Sequence, residues 1–233
     1  MKIVSFLFIL CAISLTSIAQ TSTSTSWKQV NTEEITDCDI RNIFMLDQDL
    51  GYFTSASSFC NTPGIFKTTD GGNSWDMFNN MNYIDKIFVF SENLFYFCSG
   101  NKIVKYDNGT YTTKQYEGTM FTNIYFSSNN IGWCFGNENS NNSILYKTTD
   151  AGNNWTNLNI SPEQFGGGLY ATDDNNVWIG GRQKIIYSSN GGTTWVDQIL
   201  PIPENREVQD IQMLDQNTGY AVGRFNGVLK TTN

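Results

Sequence analysis

This chain of 233 residues is expected to be all-β, a β-propeller of five four-stranded antiparallel blades. Two patterns recurring at about 40 residues carry that expectation, and nothing after the first residues shows convincing helical periodicity. The first pattern is a gapless ten-residue block: IFMLDQDLGY (43–52), IFVFSENLFY (87–96), IYFSSNNIGW (124–133), LYATDDNNVW (169–178) and IQMLDQNTGY (211–220). Each copy is an apolar-rich run, a polar turn and then an aromatic residue at one fixed place. The second pattern is an anchor residue further along each unit: Lys67, Lys105, Lys147, Tyr187 and Lys230, at intervals of 38, 42, 40 and 43 residues. A unit of this length with several short apolar runs reads as four strands. One such unit cannot bury its own faces, so the units must pack radially on one another.

In the first unit the strands are expected at 41–46, 51–56 and 64–68, with the fourth beginning at Trp75. Between the third and fourth lies KTTDGGNSW (67–75), nearly repeated as KTTDAGNNW (147–155) and YSSNGGTTW (187–195). The recurring elements are Thr68, Asp70, Gly72, Ser74 and Trp75; then Thr148, Asp150, Gly152 and Trp155; then Ser188, Asn190, Gly192, Thr194 and Trp195. A hydroxyl and a side-chain oxygen can accept backbone N–H groups across such a turn. Glycine supplies positive φ without a Cβ clash. The tryptophan is expected to turn inward between sheets, where its truncation would cost about 3–5 kcal/mol. Every element has a local structural task, so the stretch reads as a staple. Calcium takes about six to eight oxygens, and one carboxylate per loop does not supply them. No metal site is expected.

Composition narrows the chemistry. The formal charge is −8, from 14 Lys and Arg against 22 Asp and Glu, and there is no histidine. Sequence-independent phosphate binding needs clustered basic residues, so nucleic acid and an anionic membrane surface are disfavoured as partners. Without histidine the usual general base, the commonest zinc ligand and the Ser-His-Asp triad are all excluded.

The first residues, MKIVSFLFILCAISLTSIAQ, combine Lys2, an apolar run and a small-x-small ending at Ala19. They are expected to be a secretory signal spanning 1–19, with a retained N-terminal anchor as the alternative. Residues 20–26 then form a polar lead-in, and 27–233 a single propeller domain that is secreted or periplasmic, monomeric and not inserted in a membrane. The sequence ends at KTTN (230–233), part-way through a turn of the kind above, while SWKQV (26–30) supplies its second half. Trp27 is therefore expected to begin the fourth strand of the last blade and close the ring, removing two sheet edges. The alternative is a truncated part of a larger propeller.

The segments Thr68–Trp75, Thr148–Trp155 and Ser188–Trp195 resemble Asp-box (BNR) repeats, S/T-x-D-x-G-x-S/T-W. With the preceding GY and I-L/F-K-T-T elements, the chain is similar to the propeller family of photosystem II assembly and stability factors and their secreted bacterial relatives. The resemblance covers about 27–233. Departures are KYDNGTY (105–111) in the second unit, Asn154 in the third, Asn190 in the fourth, and fewer units than the family's usual ring. The resemblance implies a non-catalytic module that binds a protein or assembles a complex, without cofactor. Sialidases and xyloglucanases also carry Asp boxes, so a glycan-binding or glycan-hydrolysing propeller is the alternative.

In a four-stranded blade the connections between second and third strands lie opposite the Asp-box hairpins. All four arginines, Arg41, Arg182, Arg206 and Arg224, map to that upper face or its rim. Arginine suits bidentate recognition of carboxylates, so these residues are the candidate binding patch for a protein C-terminus or another acidic ligand. The competing reading is solvated loop arginines neutralised by Glu33, Asp39, Glu204 and Glu207. A hydrolase would need two facing carboxylates, and no spacing among Asp39, Glu138, Glu163 and Asp210 singles out a pair. Trp133 and Trp178, aligned with Tyr52, Tyr96 and Tyr220, read as core residues rather than sugar platforms.

Cys38 and Cys60 both map to the upper face of the first blade and are expected to form a disulfide. Cys98 and Cys134 lie one aligned position apart in neighbouring blades, so strand alternation points them to opposite faces of their sheets. They are expected to remain buried thiols; four unpaired cysteines is the alternative.

Overall fold

The computed structural model describes residues 38–56, 61–138, 142–160, 165–203, 206–224 and 227–232. These residues form strands and no helix, as the sequence leads one to expect. The first sheet runs β1 (Asp39–Met45), β2 (Gly51–Ala56), β3 (Gly64–Thr68) and β4 (Asp76–Asn79), close to the expected boundaries. The second is β5 (Ile84–Ser91), β6 (Leu94–Ser99), β7 (Lys102–Asp107) and β8 (Thr110–Gln115). The third is β9 (Thr119–Phe126), β10 (Gly132–Glu138), β11 (Asn142–Thr148) and β12 (Thr156–Asn157). The fourth is β13 (Phe165–Ala171), β14 (Val177–Gly181), β15 (Lys184–Ser188) and β16 (Val196–Ile199). The fifth is β17 (Val208–Met213), β18 (Thr218–Gly223) and β19 (Leu229–Thr232). In each sheet, strands consecutive in sequence are antiparallel neighbours, with no crossover.

The fifth sheet has three strands among the described residues, against four in each of the others. Its expected fourth strand, at residues 27–30 with Trp27, lies outside the described residues, as do the proposed signal segment and Cys60.

The two sequence patterns meet across the strands. The block aromatic pairs directly with the anchor residue in every sheet: Tyr52 with Lys67, Tyr96 with Lys105, Trp133 with Lys147, Trp178 with Tyr187, and Tyr220 with Lys230. The Lys105, Lys147 and Lys230 amines lie 5.9, 5.2 and 5.8 Å from the centroids of their aromatic partners, within cation–π range. Trp178 stacks on Tyr187 at 4.8 Å. Each pair is an aromatic body with a polar neighbour laid along it, and it repeats because the register of second and third strands repeats.

The core consists of layers between sheets. Tyr52 and Ile65 of the first sheet pack on Ile87, Val89, Phe95 and Phe97 of the second. Tyr96, Cys98 and Ile103 meet Phe121, Ile124, Phe126 and Cys134 of the third. Trp133, Phe135 and Leu145 meet Leu169, Ala171 and Ile179 of the fourth. Trp178 and Ile185 meet Val208, Ile211, Met213 and Ala221 of the fifth. Polar ties cross the same layers: the Tyr96 hydroxyl donates to the Ala151 carbonyl (2.9 Å), and Lys147 Nζ donates to the Gly191 carbonyl (2.8 Å).

The first and last sheets each keep one bare face. At the shared isoleucine or leucine position, Ile87, Ile124, Leu169 and Ile211 are 1, 0, 3 and 4% exposed, whereas Ile43 is 59% exposed. At the shared aromatic position Tyr52, Tyr96, Trp133 and Trp178 are buried, whereas Tyr220 is 39% exposed. The expectation that all five aromatics are core residues therefore fails for Tyr220. Its side of the sheet looks away from the fourth blade, and no described residue of another blade covers it.

This contrast gives a direct test of the layers. Ile87→Ala should destabilise the fold by about 2–5 kcal/mol. The equivalent change Ile43→Ala should fall within about 0.5 kcal/mol of wild type, as surface substitutions do. Denaturant melts of both variants check it; equal losses would place Ile43 under a covering segment.

Candidate functional site

The three repeated turns are closed by their own side chains. Thr68 Oγ1 accepts the Gly72 N–H (2.9 Å) and donates to Asp70 Oδ1 (2.8 Å). The Asp70 carboxylate then accepts the Ser74 N–H (2.9 Å) and the Ser74 hydroxyl (2.7 Å). Thr148, Asp150 and Asn154 repeat this, with the Asn154 amide replacing the hydroxyl as donor to Asp150 Oδ2 (2.7 Å). Ser188, Asn190 and Thr194 repeat it again: Asn190 Oδ1 accepts the Thr194 N–H and its Nδ2 donates to Thr194 Oγ1, both at 2.8 Å. Each turn is also tied to the preceding turn of its own sheet, by Gly71 N–H to Asp49 O, Ala151 N–H to Asn130 O and Gly191 N–H to Asn175 O.

Trp75, Trp155 and Trp195 are half-buried, less enclosed than the sequence suggests. Each lies against its own turn: a Cβ on Gly72, Gly152 or Gly192 would come 3.5, 3.7 or 3.3 Å from the indole. One face of the ring is spent on the turn glycine, so the sheets do not swallow it. Gly72, at φ 87°, thus serves twice, in the left-handed region and as the floor under tryptophan. The oxygens of these turns are engaged with one another and with backbone amides, which suits a staple.

The opposite end of the sheets carries the arginines. Arg182 follows β14 and forms an antiparallel bridge with Glu207. The Gln183 N–H donates to the Arg206 carbonyl (3.0 Å), and the Arg224 N–H to the Glu207 carbonyl (3.0 Å). Arg182, Arg206 and Arg224 are therefore gathered within one backbone neighbourhood at the end of the fourth and fifth sheets, all three exposed. The half-buried Glu207 carboxylate pairs with Arg224 Nε at 3.1 Å. Among the described residues no carboxylate forms an ion pair with Arg182 or Arg206. Arg41 stands apart on the first sheet, paired with Asp39 at 3.2 Å. Two of the acids expected to neutralise the patch, Asp39 and Glu207, do pair with arginine; Glu33 and Glu204 lie outside the described residues.

The innermost strands β1, β5, β9, β13 and β17 line a cavity of about 220 Å³. Phe44, Phe88, Tyr125 and Tyr170, at one position of successive repeats, form a row with centroid separations of 5.8, 5.2 and 4.9 Å. Gln212 takes the same place in the fifth sheet. Half-buried Asp85 on β5 escaped the sequence reading. Burial pushes its carboxyl up, against the opposing pull of the Arg41 charge. The available signal was register: Asp85 stands where the other repeats place Arg41, Thr122, Gly167 and Gln209.

Cys38 is disulfide-bonded, and its expected partner Cys60 lies outside the described residues. Cys98 and Cys134 are free and buried. Pointing to opposite faces of their own sheets does not separate them. Neighbouring blades present opposite faces to each other, so the two sulfurs meet at 3.1 Å.

Among solved structures the chain is similar to a YCF48 bound to D1 peptide, with a TM-score of 0.67 at 17% identity, covering 90% of this chain and 70% of that one. YCF48 from Cyanidioschyzon merolae gives 0.67 at 14% identity over 89% of this chain and 71% of that one. An ancestral GH74 enzyme gives 0.61 at 16% identity, over 83% of this chain but 30% of the enzyme. The chain is a β-propeller. No protein-family model matches the sequence, and no curated protein matches it. At these identities the likeness carries the architecture, and the propeller's chemistry must be argued from its own residues.

The turns make a pH prediction. Bonds from the Ser74 hydroxyl, the Ser74 N–H and Thr68 hold the Asp70 carboxyl down at about 2. A carboxyl lowered on folding stabilises the fold above the ordinary value of about 4, and that contribution is lost as pH falls toward 2. Asn190 makes the same turn without a titrating group, so Asp70→Asn should fold normally and lose less stability than wild type between about pH 4 and pH 2. Melting curves across that range check it; an unchanged acid slope contradicts it.

Proposed function

We propose that this chain is an exported, non-catalytic β-propeller that binds a protein segment through the arginine-bearing end of its fourth and fifth blades. The observation that carries the reading is the gathering of Arg182, Arg206 and Arg224 beside Glu207, where among the described residues only Arg224 is ion-paired, on a chain whose formal charge is −8. Against an acidic background, a local excess of guanidinium charge selects a carboxylate-bearing ligand and offers it bidentate donors. The connection that carries Arg182 springs from β14, buried along its whole length, while Arg224 follows β18, which is buried on one side only and is tied back by the Arg224 N–H to the Glu207 carbonyl. Export is supported by the apolar N-terminal run followed by a small-x-small ending at Ala19, and by the disulfide-bonded Cys38. A YCF48 neighbour is itself a complex with a peptide, which is consistent with a propeller end serving as a peptide platform.

The glycan-active alternative draws on half-buried Asp85 on β5, whose carboxyl burial pushes up. A hydrolase needs a second carboxylate about 5–10 Å across from it. Release of reducing sugar from cell-wall polymers by the purified protein would favour that alternative.

The binding reading is tested with peptides that differ only at their end, a free carboxylate against an amide. The free acid should bind more tightly, and Arg182→Ala with Arg224→Ala should weaken it at least about tenfold, since hydrogen bonds to charged groups contribute about 1.5–3 kcal/mol. Melting curves should show the double variant folded. Equal affinity for acid and amide, or for wild type and variant, would reduce the patch to a solvated rim.

A further inference from the structure

We infer that Cys98 and Cys134 are a redox pair that joins the second and third blades by a disulfide when the protein is oxidised. Cys98 lies on β6 and Cys134 on β10, and their sulfurs approach to 3.1 Å across the layer between the sheets. That is closer than the ~3.5–4.0 Å at which non-bonded heavy atoms ordinarily rest. Both side chains have no exposed surface and sit among Tyr96, Ile103, Phe121, Ile124 and Phe126. Cys98 Sγ donates to the Asn123 carbonyl at 3.6 Å, which fixes its proton away from Cys134 and leaves its sulfur turned toward the second thiol. A single buried cysteine would be a small hydrophobe; two in contact, on strands of different sheets, are a bond waiting for an oxidant.

The chemistry balances with a small-molecule disulfide such as glutathione disulfide as oxidant. One cysteine thiolate attacks it, forming a mixed disulfide and expelling one thiol. The other cysteine attacks the protein sulfur of that mixed disulfide, forming the Cys98–Cys134 bond and expelling the second thiol. Two S–H bonds are lost from the protein, and two electrons and two protons pass to the glutathione. Burial pushes the Cys134 thiol up, and neither sulfur has exposed surface, so exchange in the folded protein requires the layer to open. The bond therefore forms readily while the chain folds and slowly once folding is complete. Cys38 is already half of a disulfide, which accords with the export proposed above. The inference does not depend on the ligand reading.

The test refolds the full chain in a glutathione and glutathione-disulfide buffer, alkylates remaining thiols under denaturing conditions and maps the peptides without reduction. A peptide containing residue 98 should be found joined to one containing residue 134, with neither cysteine alkylated. The joined form should melt several degrees above the fully reduced one, and Cys98→Ser and Cys134→Ser should each retain only the part of that shift due to Cys38. Alkylation of both cysteines after oxidative refolding would overturn the inference. So would separate glutathione adducts on either. Mapping of the wild-type chain alone decides the matter if a serine variant fails to fold.

Discussion

The first four sheets of this protein each depend on the next to cover the aromatic residue at one fixed place on the second strand. Tyr52, Tyr96, Trp133 and Trp178 are buried only because the next blade lies over them. A lone four-stranded meander with such a residue would expose one large apolar face, which water penalises at roughly 25 cal/mol per Å². Propagation of the repeat is thus enforced by burial, one layer at a time, and the inner strands are drawn together around a channel as a consequence. The same constraint explains the bare ends, where Ile43 and Tyr220 occupy standard core positions with no described residue of another blade laid on them.

The division of labour between the two ends of each sheet follows from this packing. At one end the Thr/Ser-x-Asp/Asn turns spend their polar groups on their own backbone and on the adjacent turn, leaving no chemistry free. At the other end the connections after β14 and β18 place arginines on the surface, the first springing from a strand buried throughout and the second from a strand buried on one side. A binding role for that second end needs no moving part and no reactive group, only donors held in place. That suits a chain without histidine.

The sequence made the blade legible because its two repeated patterns are physically one object: the block aromatic and the anchor residue are cross-strand partners in all five sheets. The turns were equally legible, since Thr68, Asp70 and Ser74 bond within seven residues. What depends on the neighbouring blade was not. Alternation correctly set Cys98 and Cys134 on opposite faces, but only the stacking order shows that those faces touch. Tyr220 matches its four counterparts in sequence and differs in what lies beyond it. Asp85 is unremarkable along the chain and acquires its raised carboxyl from burial beside Arg41. The sequence grouped all four arginines at one face; the bridge between Arg182 and Glu207 draws Arg182, Arg206 and Arg224 together, while Arg41 pairs with Asp39 on the first sheet.

Hydrogen exchange of the native protein tests the layered account most directly. If each blade is locked by the next, the amides of β6, β10 and β14 should exchange slowest and those of β18 markedly faster, although all four are second strands of equivalent sheets. Protection of β18 equal to that of β10 would contradict the account, because it would show that a blade is held without a neighbour over its aromatic face.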